Sequence, residues 1–300
     1  VHLEPNTVYV VDMTTGSDNG DGFPSYYKVD NPYADGRSSR SGTPGDADSA
    51  DLNLTYPDSN RDRVFHLDLE ATVPESGSWT AATDSNWDSS TANWAGTTDD
   101  LFADGDLVSF GDTGVGTVTL QENVAPGSVR FANTDGNDYT ITSAAAETLF
   151  AAGGISLTDA GNVTINSVIA GATSIAHTGT GTLTLNGTNT FTGGVTLAAG
   201  ATLDTSGTQP FGDFSQATAL TIADGASLVV GNGDVLNGYG IGSIKLSGAG
   251  VGGAGAIDFA AADNYSIFNG EWDLLDDTTI DVAGGRMDYD GEMSTTGAAN

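Results

Sequence analysis

Residues 179–203 read GTGTLTLNGTNTFTGGVTLAAGATL, and the last nine of them return 25 positions later. Residues 195–203 are VTLAAGATL, and residues 220–228 are LTIADGASL, with five of the nine aligned positions identical. A strand, a glycine turn and a second strand that recur at this spacing are typical of a chain wound into stacked coils, each burying its apolar face against the next. The repeat therefore predicts a β-solenoid.

Short runs that alternate apolar and polar residues continue through the chain after residue 77. Period two is the signature of a strand, and the polar partner is mostly threonine, a β-branched residue suited to an exposed sheet face. Antiparallel β-sandwiches also give many short strands, but the 25-residue recurrence and the small glycine turns favour parallel coils. The runs are residues 117–120, 139–142, 182–185, 243–246, 256–259 and 279–282.

The stretch 183–203 carries a family resemblance. Its order of L-T-L, N-T-F-T-G-G, V-T-L and G-A-T-L resembles the β-strand repeat of autotransporter passenger domains. A preceding block resembles the segment that often comes before such repeats in large bacterial surface proteins, and the two together cover roughly residues 77–300. The resemblance implies a right-handed parallel β-helix that is secreted, displayed at the cell surface and usually not catalytic. The block consists of Trp79, Asn86-Trp87, Asn93-Trp94, the acidic turn 104–106 and the strand 108–110.

Composition divides the chain near residue 76. Six of the eight prolines and five of the eight basic residues lie before residue 77. We therefore expect an irregular N-terminal region, 1–76, rich in Pro and Asp with one or two strands, and a parallel β-helix with a tryptophan-rich start, 77–300. The first region is expected to act as a cap, a linker or a donor strand, with residues 8–11 as the strand that a neighbouring copy would receive. End-to-end self-association into a fibre is thus one expected interaction.

The charge excludes some classes of partner. Forty acidic residues stand against eight basic ones, which gives a formal net charge of −32. Such a surface repels phosphate backbones and anionic lipid, so we expect no nucleic-acid partner and no direct membrane insertion. No apolar run approaches the ~18 residues that a spanning helix needs. Cysteine is absent, which is compatible with an exported bacterial protein.

Alternating oxygen ligands predict a calcium site. Asp58, Asn60 and Asp62 are spaced as in the first half of a calcium loop, because a hard cation takes several oxygens from one tight turn. Arg63 stands where the loop's glycine is expected, so a solvated turn is the alternative reading. Asp84, Asn86 and Asp88 repeat the spacing. Calcium is the only cofactor that the sequence suggests.

Three tryptophans allow two interpretations. Trp79, Trp87 and Trp94 are seven or eight residues apart. They could form a flat platform on which the rings of cell-surface or matrix glycans stack, or they could seal the end of a hydrophobic core.

Catalytic signatures are sparse. The histidines are His2, His66 and His177, and the sequence contains no H-E-x-x-H, no G-x-S-x-G and no thiol. Paired carboxylates, as glycosidases use, are available among the forty acids. A lyase would need a basic residue, and Arg130, Lys245 and Arg286 are the ones after residue 77.

We therefore expect a non-catalytic extracellular structural protein, a surface stalk, adhesin or subunit of a self-assembling fibre. The alternatives are a carbohydrate-active β-helix enzyme, either a polysaccharide lyase or a hydrolase, and a sugar-binding module that uses the tryptophans.

Overall fold

The computed structural model describes residues 27–28, 62–63, 73–205, 211, 218–230, 241–259, 265–268, 271–282, 286–289 and 291–295. The chain divides into two compact units, Val1–Ala71 and Thr72–Asn300. In the first unit, β1 (Tyr27–Lys28) pairs antiparallel with β2 (Asp62–Arg63). The expected donor strand, 8–11, lies outside the described residues.

The second unit is built from short strands. They are β3 Ser76–Trp79, β4 Asn86–Trp87, β5 Trp94–Ala95, β6 Leu107–Phe110, β7 Gly116–Leu120, β8 Ser128–Phe131, β9 Tyr139–Ser143, β10 Thr148–Leu149, β11 Ile155–Leu157, β12 Val163–Ile165, β13 Val168–Gly171, β14 Ile175–His177, β15 Thr182–Leu185, β16 Thr190–Phe191, β17 Val195–Leu197, β18 Thr202–Thr205, β19 Thr218–Ile222, β20 Ser227–Val230, β21 Ile241–Gly248, β22 Ile257–Phe259, β23 Tyr265–Phe268, β24 Glu271–Thr278, β25 Ile280–Val282, β26 Arg286–Tyr289 and β27 Met293–Ser294. Two 3-10 turns, Thr98–Asp100 and Val251–Gly253, are the helical segments of the described residues.

These strands stack into long parallel sheets. The first sheet has the order β27-β24-β21-β19-β17-β14-β11-β8-β6-β3-β5, the second has β25-β22-β20-β18-β15-β12-β9-β7-β4, and the third has β10-β13-β16. The pairing of β3 with β5 is antiparallel, and the other pairings in these sheets are parallel. β11, β12 and β13 belong to the first, second and third sheets in that order, and β14 belongs to the first sheet again. The chain therefore winds in coils, and the prediction of an all-β parallel solenoid is confirmed.

The sequence repeat corresponds to one coil. Val195 pairs with Leu220 on the first sheet, and the second half of the repeat aligns in the same way when β18 pairs with β20. Other coils are shorter, since Ile175 pairs with Val195 after a step of 20 residues. These strands keep their register while the turns between them change length, whereas the pairings of β21 with β19 and with β24 contain register shifts.

Alternation along each strand creates the core. On β12, Val163 and Ile165 are buried while Thr164 between them is partly exposed, because successive side chains of a strand point to opposite faces. Parallel pairing then lines like residues up from coil to coil, and each buried aliphatic side chain contributes about 1.5–3 kcal/mol relative to an exposed one. On the first sheet, one such buried column is Val108, Val129, Ile155, Ile175, Val195, Leu220, Ile244 and Trp272.

Glycine lets the coils approach closely at the corners. A Cβ placed on Gly181 would lie 2.2 Å from the carbonyl oxygen of Gly161 in the preceding coil. Gly111, in contrast, has nothing within 4 Å of that position. Only some of the glycines are therefore required by the stacking.

Candidate functional site

The three tryptophans of the predicted sugar platform lie inside the first coils. Trp79, Trp87 and Trp94 are 1%, 0% and 0% exposed. Their rings pack edge to face, with centroids 5.0 Å apart for Trp79 and Trp94 and 5.2 Å apart for Trp87 and Trp94, and Phe102 and Phe110 complete the cluster. A sugar needs an exposed ring face to stack on, and these indoles present none in this structure. This buried packing agrees with the second interpretation, in which the three tryptophans close the end of the hydrophobic core.

Backbone pairing brings two of these indoles together. β5 runs antiparallel to β3, with Trp94 opposite Trp79, and so occupies the outer edge of the first sheet. Trp79 Nε1 also donates to the carbonyl of Gly114 at 3.0 Å. A reversed, tightly packed strand at this position protects the sheet edge from pairing with other chains.

The predicted calcium ligands fall almost entirely outside the described residues. Asp58 and Asn60 lie outside the described residues, and only the backbone of Asp62, in β2, is described. Calcium at residues 58–62 therefore stays a prediction.

The second oxygen-rich turn is described, and protein donors hold its carboxylates. Asp84 Oδ1 accepts from the backbone N–H of Asn86 at 2.8 Å and from Asn93 Nδ2 at 3.0 Å. Burial raises the pKa of Asp88, but hydrogen bonds from Ser90 and Thr91 outweigh it, so the net pKa is lowered. Within the described ranges, no group of three or more His, Asp or Glu side chains is arranged to hold a metal ion.

His177 is a core residue. It occupies an inward position of β14, is 0% exposed and pairs in register with Leu157 and Leu197 of the neighbouring coils. Its Nε2 lies 2.8 Å from the carbonyl oxygen of Gly181, and its Nδ1 has no hydrogen-bond partner. Burial lowers the pKa of His177, and the hydrogen bond from the ring to the carbonyl oxygen of Gly181 opposes part of that shift. It lies where no substrate in solution reaches it.

The basic residues do not converge. Arg130 and Lys245 both point outward from the first sheet, but β11, β14, β17 and β19 separate their strands. Arg130 Nη2 donates to Thr158 Oγ1 at 3.0 Å. Arg286 lies in β26, and only its backbone is described.

Two carboxylates on the second sheet are adjacent in the described part of the chain. Asp258 and Asp281 are register neighbours on the outer face of the second sheet. Burial, followed by the nearby charge of Asp281, raises the pKa of Asp258. Adjacent strands are about 4.8 Å apart, and retaining glycosidases hold their two carboxyl groups about 5–5.5 Å apart, so the hydrolase alternative would use this pair.

A regular surface occupies the outer side of the second sheet. Every outward position of β7, β9, β12 and β15 is threonine, and we call this surface the threonine face. Thr117, Thr140, Thr164 and Thr184 form one column, in which each pairs with the next across four successive coils. Thr119 and Thr142 form a second column. The seven residues of the face are Thr117, Thr119, Thr140, Thr142, Thr164, Thr182 and Thr184.

The hydroxyls of the threonine face are available. Among the described residues, none of these seven hydroxyls has a hydrogen-bond partner in the protein, and all seven side chains are at least partly exposed. The column ends at Asp204, which pairs with Thr184. Sequence reasoning identified threonine as the exposed partner of the strands but missed the columns, because they depend on register between coils.

Comparisons of the chain with protein-family models, with curated proteins and with solved structures find no match. Within the described residues, no helical segment is suited to crossing a bilayer.

Proposed function

We propose that this chain is a non-catalytic extracellular structural protein of a bacterial cell surface, a stiff part of a stalk, adhesin or fibre. The observation that carries the proposal is the unbroken stacking of the first and second sheets. Each coil is hydrogen-bonded to the next along both sheets, and one hydrophobic core runs through them. Bending such a stack would separate hydrogen bonds and open the core, so the stack is suited to holding a surface at a fixed distance.

The resemblance of residues 183–203 to the autotransporter β-strand repeat supports the same proposal. The acidic composition adds to it, because a net charge of −32 keeps an extended protein soluble and prevents lateral aggregation. Under this proposal the chain is secreted, and cell-surface or matrix glycans are its class of partner. Self-association would occur end to end, with residues 8–11 as the strand that one copy donates to the next.

Imaging of the purified chain tests the structural part. Negative-stain images should show uniform rods, or fibres at high protein concentration. Sedimentation velocity should show species that grow with concentration if ends associate. Globular particles at all concentrations would contradict the proposal.

The hydrolase alternative has its own test at Asp258 and Asp281. Purified protein would be incubated with a panel of neutral and uronate-containing polysaccharides, with reducing ends and ultraviolet absorbance as readouts. The structural proposal predicts no turnover. Turnover that disappears in Asp258→Asn and persists in Asp276→Asn, an exposed acid on the first sheet, would replace it by the enzyme.

A further inference from the structure

The threonine face has three properties that together call for a specific partner. Its seven positions carry no charge, its main column repeats across four coils, and its hydroxyls have no hydrogen-bond partner among the described residues. Asp138 and Asp204 border it. Its neutrality is notable in a chain with forty acidic and eight basic residues. The outward column of the first sheet, in contrast, contains Arg130, Lys245 and Asp273.

The spacing of the face follows from strand geometry. Neighbouring threonines within a column, such as Thr140 and Thr164, are separated by one strand spacing, about 4.8 Å. Two outward threonines on one strand, such as Thr117 and Thr119, are separated by two residues, about 6.7 Å. Threonine is β-branched and has few χ1 rotamers, so the hydroxyls and methyls are held in place before any partner arrives.

A lattice of water has similar repeats. Water molecules in ice are about 2.75 Å apart along each hydrogen bond. Tetrahedral bonding then places second-neighbour oxygens about 4.5 Å apart and gives a repeat of about 7.3 Å along the hexagonal axis. Both lengths are within about a tenth of the spacings on the face. Each hydroxyl can donate one hydrogen bond and accept others, as a lattice water does.

We propose that the threonine face binds ice. The absence of charge at its outward positions supports this partner, because charged groups hold their own hydration shells and resist the water positions of a solid. A neutral glycan is a weaker fit, since no aromatic ring lies at the outward positions of β7, β9, β12 and β15 on which a sugar could stack. The face thus anchors to the surface of an ice crystal through its hydroxyls and methyls.

The test is a pair of matched double variants of the full chain. Thr140→Lys with Thr164→Lys places two charges at the centre of the face. The control, Thr196→Lys with Thr221→Lys, makes the same change at two register neighbours that point outward from the first sheet. Far-ultraviolet circular dichroism would verify that both variants keep their strand content.

The readouts are enrichment of fluorescently labelled protein in slowly grown ice and the rate of ice-grain coarsening in a frozen sucrose solution. The unaltered chain and the control are expected to enter the ice and to slow coarsening. The face variant is expected to lose about tenfold or more in enrichment, which corresponds to about 1.4 kcal/mol of binding free energy. Exclusion of the unaltered chain from ice would overturn the proposal, and so would equal loss in both variants. Binding to insoluble neutral polysaccharide without enrichment in ice would assign the face to a glycan instead.

Discussion

Replacing His177 by leucine is expected to stabilise the solenoid and to remove part of its sensitivity to acid. The side chain is 0% exposed, between Leu157 and Leu197 in the neighbouring coils. Its Nδ1 is buried without a partner, which costs about 1–3 kcal/mol. Leucine removes that cost but loses the hydrogen bond to the carbonyl of Gly181, about 1 kcal/mol. The expected gain in the free energy of unfolding near neutral pH is therefore between zero and about 2 kcal/mol.

The dependence on pH is the more diagnostic part. Burial lowers the pKa of His177 in the folded state, so below an unfolded pKa of about 6.5 the unfolded chain binds a proton that the folded chain does not. The contribution of the neutral His177 to the free energy of unfolding is fully present above about pH 6.5 and is lost as the pH falls below that value. The slope is about 1.4 kcal/mol per pH unit until the lowered pKa of the folded state is reached.

Urea titrations of the unaltered protein and of His177→Leu between about pH 7.5 and about pH 5 measure the effect. The difference between the two free energies of unfolding should widen as the pH falls, because contributions from all other titratable groups cancel. His177→Gln is the matched control, since it stays polar but does not titrate in this range. The free energy of unfolding of His177→Gln should follow the same pH dependence as that of His177→Leu, without the gain in stability near neutral pH. A difference that stays constant with pH would refute the reasoning.

Other predictions concern the corners, the core end and the calcium turn. Gly181→Ala would bring its Cβ to 2.2 Å from the Gly161 carbonyl oxygen and should lower the free energy of unfolding by about 1–3 kcal/mol in denaturant titrations, whereas Gly111→Ala should leave it within about 0.5 kcal/mol. Trp87→Ala should lower it by about 3–5 kcal/mol by emptying a fully buried site. If residues 58–62 bind calcium, isothermal titration should show calcium uptake that EDTA reverses, and Asp58→Asn with Asp62→Asn should abolish it; a featureless titration of the unaltered chain would end that assignment.

The coiled architecture was predictable from local pattern alone. Alternation on strands such as β12 and β15 determines which side chains face the core, because a strand places successive residues on opposite faces. The recurrence of 195–203 at 220–228 identified one coil, and these segments do pair in register.

The burial and the neighbours of individual aromatic and polar residues were not predictable from local pattern. The spacing of Trp79, Trp87 and Trp94 is compatible with a sugar platform or with a core end, and the packing of the first coils decides that they are buried. His177 looks like any isolated histidine in the sequence, and its place between two leucines depends on coils of 20 residues on either side.

Composition and periodicity by themselves thus determined that this protein is an acidic, all-β solenoid. The reason is that each strand must bury every second residue, so its own sequence alternates between apolar and polar residues. Tertiary structure alone decided which side chains become neighbours, including the columns of the threonine face. The physical reason is that register between coils is fixed by turn lengths and corner packing, as at Gly161 and Gly181, and these contacts join residues that the sequence keeps about 20 or more positions apart.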